Sequence, residues 1–425
     1  MMILAVFLTL VALMLLRVPV AFCIAAAAGM YLVLGGADLS LLPQRMIGQM
    51  TSIPLMAIPF FILAGELMNI GGITDRIFAF ARALLGRLPG NLGHANVVAS
   101  MVFAGMSGSA VADTAGLGRV ELKAMRANGY PDDFSVGVTV ASSTIGPIIP
   151  PSINIIIFAS ITGTSIGGLF VGAIIPGVMM GASLMILIAI IATRRELGKR
   201  QGSTLREILY AATRAIFPML TPAIILGAIL LGIATPTEAS VIAVVYALVL
   251  GLLVFRLLRW RDLVAIAMRT TILTAALMLI ISFASPLGHA LARERVPQLI
   301  GEALFSISSD LTIVWLLVVV FLLIIGTFME VSAALIVVTP IIAPAMVALG
   351  ADPLQVGVVM VLGLGLGLIT PPVGLCLYVG SQISGLSLDK VVRGTAPFYV
   401  PILVTLILTA MLPALTTWLP RLLGL

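Results

Sequence analysis

Long apolar runs alternate with short polar breaks along this chain, and the runs predict membrane-spanning helices. A helix needs about 20 mostly apolar residues to cross a bilayer. The predicted uninterrupted spans are residues 2–16, 18–36, 53–69, 166–192, 216–234, 239–255, 270–290 and 397–419. Residues 71–89 differ, because charged residues such as Asp75, Arg76 and Arg82 are interleaved with apolar ones. This pattern predicts an amphipathic helix on the cytoplasmic face of the membrane.

One stretch of the chain occurs twice in the same register. The first copy starts at Gly105 and contains Pro150-Pro151, and the second starts at Gly326 and contains Pro371-Pro372. The offset is constant, since 326 − 105 = 221 and 371 − 150 = 221, so no gap is needed. Paired apolar segments interrupted by Gly and Pro in two halves of a membrane protein indicate a transporter binding site.

Each copy predicts a re-entrant hairpin followed by a broken helix. The hairpins are residues 91–127 and 311–349, and the broken helices are residues 134–162 and 354–382. A re-entrant segment is tolerated in a membrane only where protein or a polar cavity covers its open backbone. The two copies are therefore expected to enclose a polar site.

The charges at the ends of the copies predict their orientation. The first hairpin returns to Arg119, Lys123 and Arg126, whereas residues 350–353 after the second hairpin contain no Lys or Arg. A turn at Arg17 and a loop at 194–200 carry further basic residues and are expected in the cytoplasm. By the positive-inside rule the two copies are inverted relative to each other. The predicted fold class is an all-α polytopic membrane protein with two inverted repeats.

Composition supports a membrane protein and narrows its function. Of 425 residues, 61% are hydrophobic and 9% are charged, which is unlike any soluble domain. The net charge of +6 comes from Lys and Arg in short loops, so it concerns topology and predicts no nucleic-acid partner. Cys23 and Cys376 lie in apolar runs, which predicts packing and no disulfide. The first run lacks a basic start and a cleavage site, so we interpret it as a retained helix.

Several functional classes lack their motifs in this sequence. No phosphate-binding loop is present, so the chain is not expected to be an ATPase. His94 and His289 are isolated, which predicts no transition-metal site. No nucleophile–base pair is recognisable, so no enzyme is predicted. Glu66 is expected near the inner end of its span, satisfied by solvent or an Arg, and Glu238 is expected in an outer loop.

The hairpin tips at 105–109 and 326–332 and the broken helices carry the candidate chemistry. Carbonyl groups freed by Gly and Pro are hard oxygen ligands for Na⁺, and amides at half-helix starts suit an anion. Asp113 and Glu330 follow or occupy the tips, where a carboxylate could hold a cation or relay a proton. The competing interpretation is that Ser, Gly and Thr only allow close helix packing.

Four motifs in this sequence resemble those of a known family. They are Gly105-Met-Ser-Gly-Ser-Ala-Val-Ala-Asp113, Gly146-Pro-Ile-Ile-Pro-Pro-Ser152, Gly367-Leu-Ile-Thr-Pro-Pro-Val373 and Pro59-Phe-Phe-Ile-Leu-Ala-Gly-Glu66. Over nearly its whole length the chain resembles the large membrane subunit of tripartite ATP-independent periplasmic (TRAP) transporters. The resemblance implies Na⁺-driven import of an organic acid anion, such as a dicarboxylate or a sialic acid, across the bacterial inner membrane. It also implies two protein partners, a small membrane subunit and a periplasmic substrate-binding protein.

The resemblance further implies an elevator mechanism and a set of site residues, with Na⁺ as coupling ion and no other cofactor. Hairpins and broken helices would move against a scaffold within the lipid bilayer. The implied Na⁺-binding residues are Gly105, Ser107, Ser109, Thr144, Pro147, Pro150, Gly326, Glu330, Thr370, Pro371 and Gly374. The predicted substrate-binding residues are Ser107, Asp113, Ser143, Ser152, Asn154 and Pro372.

The elevator interpretation divides residues 1–425, a single membrane domain, into four parts. Residues 1–90 are N-terminal scaffold helices and an amphipathic arm, and residues 91–192 are the first transport repeat. Residues 193–300 are scaffold helices and a second arm, and residues 311–425 are the second transport repeat. The main alternative is a stand-alone Na⁺ or H⁺ symporter or exchanger that needs no binding protein. An integral membrane enzyme and a passive channel are the remaining alternatives.

Overall fold

A computed structural model describes residues 2–16, 18–36, 38–70, 73–198, 202–308 and 310–425. These residues form helices, turns and loops, and contain no strand. The first eleven helices are α1 Met2–Leu15, α2 Val20–Leu34, α3 Leu41–Met50, α4 Ala57–Ile70, α5 Ile73–Leu85, α6 Asn91–Ser107, α7 Ala110–Ala115, α8 Leu117–Ala127, α9 Asp132–Ser143, α10 Ile153–Thr162 and α11 Ile166–Arg194. The others are α12 Leu205–Leu230, α13 Pro236–Leu248, α14 Trp260–Arg293, α15 Val296–Ile307, α16 Leu311–Phe328, α17 Val331–Ala348, α18 Pro353–Gly367, α19 Leu375–Ser384, α20 Leu388–Met411 and α21 Ala414–Leu422.

The multi-pass prediction is confirmed by the lengths of these helices. Seven described helices are long and apolar enough to cross a membrane, and α3 with α4 makes an eighth if their 59° bend lies within one span. The predicted turn at Arg17, the arm start at Gly71 and the basic pair Lys199-Arg200 lie outside the described residues.

The chain is interrupted at related positions in its two halves. Helix α6 ends at Ser107 and α7 begins at Ala110, while α16 ends at Phe328 and α17 begins at Val331. Both ends differ by the repeat offset, since 328 − 107 = 221 and 331 − 110 = 221. The other predicted breaks also occur, between α9 and α10 and between α18 and α19. Each of these breaks includes a double proline, which removes amide donors and cannot continue a helix.

The two halves of the chain are packed into each other. Helix α10 packs against α17, and α19 packs against α7, so each second half-helix contacts the hairpin of the other half. Helix α9 packs against α20, and Gly137 makes this possible, since a Cβ there would lie 2.1 Å from the Gly394 carbonyl oxygen. The four helix breaks are brought together by this arrangement.

Helices α1 to α4, α13 and α14 form a second packed group. Helix α2 packs against α1 and α14, and α4 packs against α13 and α14. The amphipathic helix α5 buries Ile73, Ile77 and Phe78 and packs against α6 and α12, while Arg82 is exposed. Helix α4 thereby contacts both this group and α6 of the first hairpin.

Several helices are longer than the apolar stretches from which they were predicted, because polar capping residues set their ends. Helix α12 begins at Leu205, well before the predicted 216, because Thr204 and Glu207 form a reciprocal capping box. The span predicted at 270–290 is part of the longer α14, and the one predicted at 397–419 is divided between α20 and α21. Helices α3 and α15 were not predicted.

Candidate substrate and ion site

The first hairpin tip is a sharp turn between α6 and α7. Gly108 adopts a left-handed conformation with φ of 60°, which Gly tolerates without strain. Ser109 then caps α7, and its hydroxyl oxygen accepts from the Ala112 amide over 3.4 Å. A Cβ on Gly108 would lie 3.1 Å from the amide nitrogen of Ile153, so the tip backbone rests on the start of α10.

The break between α9 and α10 lies directly against this tip. Thr144 is the C-terminal capping residue of α9, and Ser152 caps the start of α10. The Ser152 hydroxyl also donates to the carbonyl oxygen of Pro147. A Cβ on Gly146 would lie 3.3 Å from the amide nitrogen of Ala110. The peptide bond between the two prolines of this break is cis, as is the one between Pro371 and Pro372. Tip and break are therefore two unwound backbones in van der Waals contact.

The second hairpin tip and the second break are joined in a similar way. Glu330 caps α17, with its carboxylate accepting from the amides of Ser332 over 2.8 Å and Ala333 over 3.3 Å. The Gly374 amide, at the end of the break, donates to the Thr327 carbonyl over 3.1 Å. Ser109 and Glu330 are thus equivalent caps, since 330 − 109 = 221.

A cavity of about 480 Å³ lies where the hairpin tips meet α4, α10 and α14. Its polar wall consists of Glu66, Asn69, Ser107, Ser109, Asn154, Glu330 and Ser332. Its apolar wall includes Ile62, Phe103, Val111, Ile153, Leu273, Leu277 and Leu375. An apolar pocket with a few convergent polar groups is the usual form of a small-molecule site.

The ionisable side chains on the cavity wall, among the described residues, are both acidic. Glu66 and Glu330 supply two carboxylates, and no described lining residue is Lys, Arg or His. Carboxylates repel an anion strongly where water is scarce, because charge interactions are weakly screened in such a site. An anion in this cavity can therefore be bound by backbone amides, hydroxyl groups or bound cations, because no described lining residue is basic.

The structure places the predicted site residues in three positions. Those on the cavity wall are Ser107, Ser109, Asn154 and Glu330. Those behind the tips, buried and away from the wall, are Gly105, Asp113, Ser143, Thr144, Pro147, Pro150, Ser152, Gly326 and Gly374. Thr370 is half-buried near the second break, where Pro371 and Pro372 are exposed.

Two polar residues of α4 that were not predicted as site residues lie on the cavity wall. Glu66 and Asn69 line the wall, together with Ile62 and Gly65. The sequence does contain a signal for this shared position, because residues spaced three, four and seven apart lie on one face of a helix. Sequence alone does not show which helix face meets the hairpin, so Glu66 was interpreted as satisfied by solvent or by an Arg. Among the described residues, no group of three or more His, Cys, Asp or Glu side chains could hold a metal ion.

The fold and this site define a class of protein: a multi-pass helical transport protein of the membrane. Residues 7–415 match the family described as tripartite ATP-independent periplasmic transporter, DctM component. The chain belongs to this family, as the resemblance predicted, and it is a permease subunit of the bacterial inner membrane and not an enzyme.

Curated relatives agree with this assignment, and a solved structure has a similar fold. The sialic acid TRAP transporter large permease protein SiaM of Vibrio cholerae is 39% identical and covers 95% of each chain. The C4-dicarboxylate TRAP transporter large permease protein DctM of Pseudomonas aeruginosa is 39% identical over 87% of each chain. The crystal structure of the YdaH transporter from Alcanivorax borkumensis matches with a TM-score of 0.63, 14% identity and 88% coverage of each chain. At that identity the likeness shows the fold alone.

Proposed function

We propose that this chain imports an organic acid anion together with Na⁺, as the large subunit of a TRAP transporter that uses an elevator mechanism. Its proposed partners are a small membrane subunit and a periplasmic substrate-binding protein, as family membership implies. One observation carries the proposal of Na⁺ coupling: a cavity with two carboxylates and no described basic side chain is bounded by unwound hairpin tips.

The charge balance of the cavity supports Na⁺ coupling. An organic anion beside Glu66 and Glu330 needs positive charge nearby, and the lining supplies none from side chains. Na⁺ is a hard cation that takes carbonyl, hydroxyl and carboxylate oxygens, all of which the tips and breaks offer. Na⁺ bound there would offset the repulsion and order the tips, so that substrate binds only after the ion.

Two relatives and the cavity size support a small organic acid as substrate. The relatives described above are named for sialic acid and C4-dicarboxylates. A volume of about 480 Å³ is large enough for a sugar acid as well as for a dicarboxylate. Asn69, Asn154 and the hydroxyl groups of the wall can bind carboxylate or hydroxyl groups of either.

The contact between α4 and the first hairpin supports the elevator mechanism. A Cβ on Gly65 would lie 3.0 Å from the Met106 carbonyl oxygen, and a Cβ on Gly105 would lie 2.7 Å from the Pro222 ring. Small residues at such crossings let helix backbones approach without interdigitating side chains. A contact without interlocking side chains would allow the hairpin to slide along α4 and α12.

The test is uptake of labelled organic acids into proteoliposomes that contain the chain and its two partners. We expect uptake with an inward Na⁺ gradient and none with an equal K⁺ gradient. Uptake that does not depend on the Na⁺ gradient would refute Na⁺ coupling. Full activity of this chain without partners would favour the stand-alone symporter instead.

A further inference from the structure

Glu121 on α8 is a buried acid that the proposed transport site does not use. Its side chain has 0% exposure, and neither carboxyl oxygen has a hydrogen-bond partner among the described residues. It lies outside the cavity, and it is none of the predicted Na⁺- or substrate-binding residues. Arg119 and Lys123, two positions away on either side, are exposed, whereas Glu121 faces the protein interior.

The Thr139 hydroxyl group, which is near Glu121, belongs to a set of buried polar groups that bond to one another. The Asn96 amide group donates to the Thr139 hydroxyl over 2.7 Å, and the Ser142 hydroxyl donates to the Asn96 carbonyl oxygen over 2.7 Å. The Ser100 hydroxyl lies 3.1 Å from that of Ser142. Thr139 is the polar side chain that faces the Glu121 carboxyl group. One hydroxyl group is too little to replace the hydration of a carboxylate.

No described cation compensates Glu121. Helix α8 packs against α5, α6, α7, α9 and α19, and the ionisable group of α7 is a second buried acid, Asp113. Arg126 pairs with Asp132, and Asp133 pairs with Arg195. The other titratable or charged groups on α8 and the helices around it are Asp75, Arg76 and Arg82 of α5, His94 of α6, Arg119 and Lys123 of α8, and Cys376 and Tyr378 of α19. None of them lies within 4.0 Å of a Glu121 oxygen as an ion-pair partner.

A carboxylate in such a place takes up a proton, because an isolated charge without water or a partner is far more costly than the neutral acid. Asp113 of α7 is also a buried acid, 1% exposed, so it supplies no positive charge that could offset a negative charge on Glu121. We infer that Glu121 is a proton-binding site, in which a neutral carboxylic acid is buried at the contact between α8 and α9.

This site would make transport depend on pH, an inference that rests on the proposed function. Helix α8 continues the returning arm of the first hairpin, whose tip borders the cavity. Loss of the proton would leave a bare charge between α8 and α9 and weaken their packing. Transport is therefore expected to fail at alkaline pH, where an organic acid substrate itself is already fully ionised.

The direct test is infrared difference spectroscopy of the reconstituted protein at neutral pH, wild type against Glu121→Gln. We expect the wild type to show a carbonyl stretching band of a protonated acid that the variant lacks. Glu302→Gln, on an exposed residue of α15, serves as control and should keep the band. If the difference spectrum between wild type and Glu121→Gln shows only the bands of an ionised carboxylate, the proton-binding site is refuted. This readout needs no transport, so it separates failure of this inference from failure of Na⁺ coupling.

The functional test compares pH profiles of uptake at a fixed Na⁺ gradient. Wild-type uptake should fall about tenfold per pH unit once one proton is lost, while the neutral Glu121→Gln should remain flat. If Glu121→Gln is poorly folded, thermal unfolding of Glu121→Leu replaces it: wild-type stability should decline with rising pH, and that of the Leu variant should not. Equal pH dependence of wild type and the neutral variants would overturn the inference.

Discussion

The hydroxyl of Ser332 donates a hydrogen bond over 2.8 Å to the side-chain oxygen of Asn154, which joins the second hairpin tip to the first broken helix. The two residues are 178 positions apart in sequence. Ser332 is also bound through its amide to Glu330, the cap of α17. The cavity wall is thus closed by a contact between the two halves of the chain, and displacement of either tip would change the shape of the site.

The variant Asn154→Ala tests this contact. Loss of the acceptor leaves the buried Ser332 hydroxyl without its long-range partner, and one such hydrogen bond contributes about 0.5–1.5 kcal/mol. We expect apparent substrate affinity to fall up to about tenfold, measured as the half-saturating concentration for uptake. Asn128→Ala is the control, because Asn128 is exposed and bonds only within its own helix end. Equal affinities of wild type and Asn154→Ala would show that the contact does not shape the site.

A second prediction concerns the charge on Glu330. Glu330→Gln keeps an oxygen that can cap α17 but removes the negative charge from the tip. We expect normal folding and a half-saturating Na⁺ concentration that rises about tenfold, since charge-assisted contacts are roughly twice as strong as neutral ones. Glu207→Gln, in the exposed capping box of α12, should leave Na⁺ dependence unchanged. An unaltered Na⁺ response of Glu330→Gln would remove Glu330 from the proposed ion site.

A third prediction concerns Glu66, the carboxylate on the opposite wall. Glu66→Gln keeps the shape of the side chain and removes one of the two negative charges facing the substrate. Weaker repulsion should let the anion bind at lower Na⁺ concentration, so substrate binding at limiting Na⁺ should become tighter. Titration of purified protein with labelled substrate at low and saturating Na⁺ measures this, with Glu302→Gln as an exposed control. Weaker binding at both Na⁺ concentrations would instead show that Glu66 contacts the substrate or an ion favourably.

The sequence predicted the helix breaks well because the signals for them are local. Gly108 permits the left-handed turn of the first tip, and Pro150-Pro151 stops α9 from continuing into α10. Helix α12 begins directly after its polar cap, Thr204, which lies before the apolar stretch. The sequence analysis therefore predicted the start of this helix too late. An apolar window measures only the part of a helix that suits lipid.

The cavity could be predicted only in part, because its wall comes from helices that meet in three dimensions. Ser107 and Ser109 were placed correctly at a tip, but nothing local shows that Glu66 faces them across the cavity. Asp113 was predicted as a substrate-binding residue that follows the tip in sequence. The structure turns its side chain inward, where it is 1% exposed and does not line the wall.

The last prediction concerns the crossing of α16 and α18 behind the second tip. A Cβ on Gly326 would lie 2.7 Å from the Leu364 carbonyl oxygen and 3.1 Å from the Cα of Gly367. Because these are backbone atoms, they cannot rotate away, so Gly326→Ala must separate the two helices. We expect a loss of about 1–3 kcal/mol in the free energy of unfolding, as for other overpacked sites, and loss of uptake.

Gly227→Ala is the matched control for that substitution. Gly227 lies within α12, and a Cβ there would meet no atom within 4 Å. Ala is favoured over Gly in a helix by up to about 1 kcal/mol, so this variant should be as stable as wild type or slightly more stable. Thermal unfolding in detergent and Na⁺-driven uptake measure both variants. If Gly326→Ala unfolds like Gly227→Ala and still transports, α16 and α18 do not cross as closely as the structure has them, and the second tip is not held by that crossing.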